Sequence, residues 1–163
     1  MPVLTVRFIN TTGFVSRLIT GATFSLMDHV EVMNRARNGW VGAHAGTGVQ
    51  DRPLNWADKN LIWVRQYDIP CTDAEYERGM AALEASIGTP YNYRGVLGVF
   101  LRLRGFTSAG RVDCSQNVEN VLCAAKGVPP LNVLPYFSWM VTPEILHLAS
   151  IFIGRMDHAA SVG

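Results

Sequence analysis

Charge imbalance is nearly absent from this 163-residue chain: fourteen Lys and Arg stand against thirteen Asp and Glu, for a net charge of +1. A broad basic face of the kind that holds nucleic acid or an anionic membrane is therefore excluded, and any partner must be recognised locally. Long hydrophobic runs are missing too. A membrane-crossing helix takes about 20 mostly apolar residues, whereas the longest clean run, Gly95 to Leu101, is bounded by Arg94 and Arg102. No integral membrane segment is expected. The stretch 1–22 is mildly apolar but carries Arg7 and Arg17 within it and has no basic leader before an unbroken apolar block, so no secretory signal is expected either. Cysteine is sparse. Cys71, Cys114 and Cys123 form no CxxC pair, which argues against a disulfide framework or a structural zinc site and for a reduced, cytoplasmic setting. Internal repeats, linkers and low-complexity blocks are likewise lacking, so residues 1–163 read as one domain.

What is present is ample core material, with 48% apolar and 17% charged residues. Thr5 to Ile9 reads as a short strand, and Thr11-Thr12-Gly13 with Gly21 marks the loops around a second apolar segment. From Met27 the pattern has a period of two: His29, Glu31 and Met33 alternate with Val30 and Val32, so His29 and Glu31 share a strand face. Asn38-Gly39 is a turn signal, with Trp40 to His44 returning as the second strand of a hairpin. Val49 to Pro53 and Leu61 to Ile69 supply two further strands.

The second half is mainly helical. Thr72 with Glu75 forms a capping box, and the helix it opens runs to a stop at Gly88. Tyr91 to Leu103 reads as a short helix after Pro90. Asp113 with Gln116 is a second capping box, followed by a stripe of Val118, Val121, Leu122 and Ala125 that Gly127 and Pro129-Pro130 terminate. Thr142-Pro143-Glu144 opens a last short helix. The expected fold is α+β, a small antiparallel sheet or partial barrel packed against helices.

Cys114 is the first candidate for chemistry, because the capping box places it at the first helical position. There the helix dipole favours a thiolate, and unpaired N–H groups are available to hold an oxyanion. A small buried hydrophobe is the competing reading of the same residue. Cys71 falls at the position before the Thr72 cap, paired with Tyr76 as a hydrophobic staple, and is expected to pack. Cys123 lies half a turn round the helix from Cys114, at about 100° per residue, and faces away. Of the four histidines, His158 sits in a tail that looks frayed and His147 in an apolar helical stretch, which leaves His29 as the best base and His44 near it.

Which residue orients His29 depends on the hairpin register. A wider turn sets His44 opposite His29, with Cβ atoms about 4.5–5.5 Å apart. A tight turn on Asn38-Gly39 sets His44 opposite Met33 instead. Glu31 lies on the correct face in either register but about 6.8 Å along the strand, so it reaches His29 only by leaning.

Taken together, Phe24-Ser25-Leu26-Met27-Asp28-His29-Val30-Glu31-Val32, then Val41-Gly42-Ala43-His44-Ala45-Gly46-Thr47-Gly48-Val49, Gly88-Thr89-Pro90-Tyr91-Asn92-Tyr93 and Val112-Asp113-Cys114-Ser115-Gln116 resemble the permuted branch of the papain-like NlpC superfamily. That branch includes lecithin-retinol acyltransferase and its bacterial and phage-borne relatives. The resemblance covers about residues 20–145. It implies a circularly permuted papain-like fold and a thiol hydrolase or acyltransferase with Cys114 as nucleophile and His29 as general base. It further implies that His44, at the position of the family's third polar residue, orients the base. The chain departs from the pattern at Asp28, where a Ser or another small residue is expected.

The function expected on this footing is a cysteine amidase or peptidase that acts on a peptide, amide or acyl substrate through a thioester, a cell-wall peptide being one such substrate. No cofactor and no metal is expected. Acyl transfer on the same fold is the near alternative. A noncatalytic binding or virion-associated module, with Trp40, Trp56, Trp63 and Trp139 as contact residues, is the distant one. A metal site built from Asp28, His29, Glu31 and His44 ranks below both, since the run lacks a second histidine at helical spacing.

Overall fold

The computed structural model describes residues 1–13, 16, 26–101 and 109–128. Among them the strands β1 (Val3–Thr11), β2 (His29–Asn34), β3 (Gly39–His44), β4 (Gly48–Pro53) and β5 (Leu61–Pro70) come first. The helices α1 (Asp73–Ser86), α2 (Tyr93–Leu101) and α3 (Cys114–Lys126) follow. The strands form one sheet in the order β4-β3-β2-β1-β5, antiparallel throughout and curled into a half-barrel. The fold is α+β. The expected helix at Thr142-Pro143-Glu144, the loop at Gly21, His147, His158, Trp139 and the Phe24-Ser25 end of the first motif lie outside the described residues.

Alternation builds the sheet. Leu4, Val6 and Phe8 of β1, Val30 and Val32 of β2 and Val41 and Ala43 of β3 turn to one side. There they bury against Leu83 of α1 and Val118, Val121, Leu122 and Ala125 of α3. Each fully buried Val, Leu or Phe side chain contributes about 1.5–3 kcal/mol. Gly79 lets α1 come close: a Cβ there would stand 3.1 Å from Ala125 Cβ and 3.1 Å from Leu4 Cδ1.

Both capping boxes form. Thr72 accepts from Glu75 N and Asp113 from Gln116 N, with the Glu75 and Gln116 side chains answering the cap N–H groups. Cys71 packs in the core beside Tyr76, as the staple requires, and burial pushes its thiol above the usual range. Helix α2 begins at Tyr93 rather than Tyr91, because Tyr91 is drawn into a parallel bridge with Val112 and the Asn92 side chain accepts from Gly95 N at 2.9 Å. Trp40, which the sequence left open as a core or a contact residue, is a core residue at 4% exposure under the Arg7 guanidinium, 4.1 Å from its ring centre.

The β2–β3 pairs are Val32↔Val41, Met33↔Trp40 and Asn34↔Gly39. Carried back to the start of β2, this register sets His29 opposite His44. The turn is the wider one, residues 35–38, with Asn38 in the left-handed region at φ 52°.

Candidate active site

Two chain segments separated widely in sequence meet at the start of β2 and the start of α3. The α3 terminus is fixed by backbone stitching just before it: Asn92 N donates to Val112 O at 3.0 Å and Val112 N to Pro90 O at 3.1 Å. These bonds place Tyr91 beside the approach to Cys114. In the first turn of α3 the Asp113 carboxylate accepts from the N–H groups of Ser115 and Gln116, and the Asp113 carbonyl accepts from Asn117 N. Of the four N–H groups that a helix start leaves unpaired, Cys114 N–H is the one this cap does not take up.

His29 lies beside the Cys114 side chain, near enough for that group to raise its pKa, and hydrogen-bonds Glu31, Nε2 lying 3.3 Å from Glu31 Oε1. Glu31 bridges the distance by leaning along the strand. Its carboxylate has no exposed surface and is held by Arg7, with Nη2 at 2.6 Å and Nε at 3.1 Å from Oε2. Trp56 Nε1 donates to Oε1 at 3.0 Å. His44 stands across the hairpin with its ring centre 4.6 Å from that of His29. Its Nε2 is 3.6 Å from Glu31 Oε1, is buried and has no hydrogen-bond partner. Trp56 closes this group edge-on, 4.8 Å from the His44 ring.

The electrostatics separate the two imidazoles. Burial alone lowers the pKa of His29, but the hydrogen bonds to Cys114 and Glu31 and the charges of both outweigh it and raise it from 6.5 to about 10. His29 is an imidazolium at neutral pH. His44 goes the other way, to about 3, through burial first and then the charge on His29, and so stays neutral. The Glu31 carboxyl is held below its usual range: burial opposes this, and the bond and charge of His29 with those of Arg7 overcome it. Burial raises the Tyr91 phenol far above its usual value, with the neighbouring Cys114 and Asp113 adding to the effect, so it remains a neutral O–H donor.

The structure brings Cys114 and His44 to His29, but of the two residues weighed for orienting that ring, Glu31 and not the preferred His44 holds its hydrogen bond, because the Glu31 side chain leans along the strand while His44 Nε2 has no hydrogen-bond partner. Asp28 takes a separate role, accepting from Thr11 Oγ1 at 2.8 Å. Sequence reasoning missed Arg7, Trp56, Tyr91 and Gly42. An arginine in the middle of an otherwise apolar strand was a signal for Arg7, since a buried guanidinium demands a carboxylate, and Glu31 was the acid in the middle of the neighbouring strand. Gly42 is needed for close approach: a Cβ there would sit 3.0 Å from Glu31 Cγ and 3.1 Å from His29 Nε2. No family model matches the chain, and neither does any curated protein or solved structure.

Proposed function

We propose that this protein is a cysteine-dependent amidase or peptidase of the permuted papain-like type, with Cys114 as nucleophile and His29 as its acid–base partner. The observation that carries the reading is that Cys114 stands beside His29, whose Nε2 is hydrogen-bonded to Glu31, itself in a buried ion pair with Arg7. The Cys114 thiolate attacks the substrate carbonyl, and the oxyanion that forms is met by the Cys114 N–H left over by the cap, with the neutral Tyr91 phenol close by. Glu31 occupies His29 Nε2, so Nδ1 is the nitrogen that exchanges protons. It protonates the leaving amine as the C–N bond breaks and the thioester forms. His29 then takes a proton from water as the water oxygen attacks the thioester, and returns it to the departing thiolate. An alcohol or amine in place of that water makes the second step an acyl transfer.

The test uses short peptide and acyl amides with a fluorogenic leaving amine, together with iodoacetamide labelling read by peptide mass spectrometry. Release is expected to vanish in Cys114→Ser and to fall about 10²–10⁴-fold in His29→Ala. An acyl adduct should appear on Cys114, and Cys114 should alkylate faster than Cys71 or Cys123. Equal release by wild type and Cys114→Ser, or no alkylation preference, would favour a noncatalytic module.

A further inference from the structure

We propose that His29 Nε2, His44 Nε2 and Glu31 Oε1 form a binding site for a zinc-class divalent cation. These three atoms all lie within 4.8 Å of one another, with Glu31 Oε1 3.3 Å from the first nitrogen and 3.6 Å from the second. Tetrahedral zinc with bonds of about 2.0–2.1 Å has ligand atoms about 3.3 Å apart along each edge. The two separations from Glu31 Oε1 match such an edge, and the two imidazole nitrogens, within 4.8 Å of each other, need only a small ring rotation to close the third.

Three independent features favour occupancy. His44 Nε2 is buried 3.6 Å from Glu31 Oε1 and lacks a hydrogen-bond partner, a costly arrangement in a folded interior that a bound cation would relieve. Gly42 withholds a Cβ from the space beside His29 Nε2. The carboxylate is already oriented by Arg7 and Trp56, the kind of outer support that ligating carboxylates characteristically have. Two imidazoles and one carboxylate form a donor set suited to zinc. The proton that His29 Nε2 shares with Glu31 passes to solvent when the metal takes its place.

The consequence for turnover rests on the amidase reading. With Nε2 metallated, His29 is no longer an imidazolium, and its remaining Nδ1–H is too weak an acid to protonate a leaving amine. The ion therefore switches the site off.

Binding is measured without reference to activity, by competing the protein against a chromophoric chelator for Zn²⁺ and by the visible spectrum of the Co²⁺ form. Wild type should take up one equivalent, show the intense visible bands of tetrahedral cobalt and melt at a higher temperature with zinc. His44→Ala and the bulkier His44→Gln should each bind at least about tenfold more weakly while melting cooperatively without metal. An affinity unchanged in both His44 variants, or no uptake by folded wild type, overturns the site. Binding in a protein whose metal-free form cleaves no amide leaves the site standing and defeats the hydrolase reading, whereas turnover by the metal-free form that persists under saturating zinc upholds the hydrolase and overturns the switch.

Discussion

Glu31 is an acid without any exposed surface, and three cationic or N–H donors converge on it: the guanidinium of Arg7, the indole of Trp56 and the ring of His29. Its charge is one of the reasons His29 keeps a proton up to about 10. A raised imidazole pKa favours the folded state fully below 6.5, and that stabilisation is lost as pH rises through about 10. On the proposed mechanism, the same window governs the acid that protonates the leaving amine. Glu31→Gln should therefore move the alkaline limb of the rate profile to lower pH by about 1–2 units, measured as initial rate from pH 6 to 11. An unmoved limb would mean that Glu31 does not sustain the imidazolium. Because the substitution also leaves Arg7 buried without its partner, at a cost of about 3–5 kcal/mol, the double variant Arg7→Met with Glu31→Gln should recover melting temperature but not the limb.

Helix α3 combines a polar start at Asp113 and Cys114 with an apolar flank, and its buried polar residues show where the two conflict. Glu119 is 1% exposed, its Oε1 has no hydrogen-bond partner, and burial raises its pKa to about 7, with Asp113 adding to the rise. A raised carboxyl pKa means the folded state is favoured at low pH, and the advantage is lost as pH climbs through about 7. Glu119→Gln should accordingly stabilise the protein by about 1–3 kcal/mol above pH 8 and by little below pH 5. Urea unfolding at both pH values checks this; a gain independent of pH would point to packing. Strand β3 offers the complementary case. Gly42→Ala forces a methyl group against Glu31 Cγ and His29 Nε2, so it should lower turnover at least about tenfold, chiefly in kcat, with a loss of stability of about 1–3 kcal/mol. Full activity with an unchanged melting curve would show that the His29 ring has room to move.

Much of this was legible in local signals, because those signals are local in origin. Two capping boxes, the Gly127 stop and the period-two run of β2 depend on neighbours within a few residues, and the helices and strands formed where those signals stood. The hairpin register was undecided in the sequence, since Asn38-Gly39 is compatible with both turns; the longer loop is the one that sets Arg37 against Glu84 of α1, Nη2 to Oε2 at 2.6 Å. The ion pair of Arg7 with Glu31, the Trp56 contact and the meeting of Tyr91 with Val112 depend on which strands and loops become neighbours, and no short window contains that. Among the described residues, no helix is long and apolar enough to cross a membrane, in keeping with the short apolar runs.

The chain order has a consequence of its own. The ribosome delivers His29, Glu31 and His44 early, on a hairpin that β1 can already pair with, while Cys114 follows only after β5 and two helices have been made. Even then the thiol comes beside His29 only when α3 settles against α1 and the sheet, since the two residues lie on opposite sides of that junction. A nascent chain would thus carry an inert histidine for most of its synthesis and an ordinary thiol for the remainder. On the amidase reading, a chain in which α3 has not docked keeps Cys114 apart from His29 and would leave the amides around it untouched.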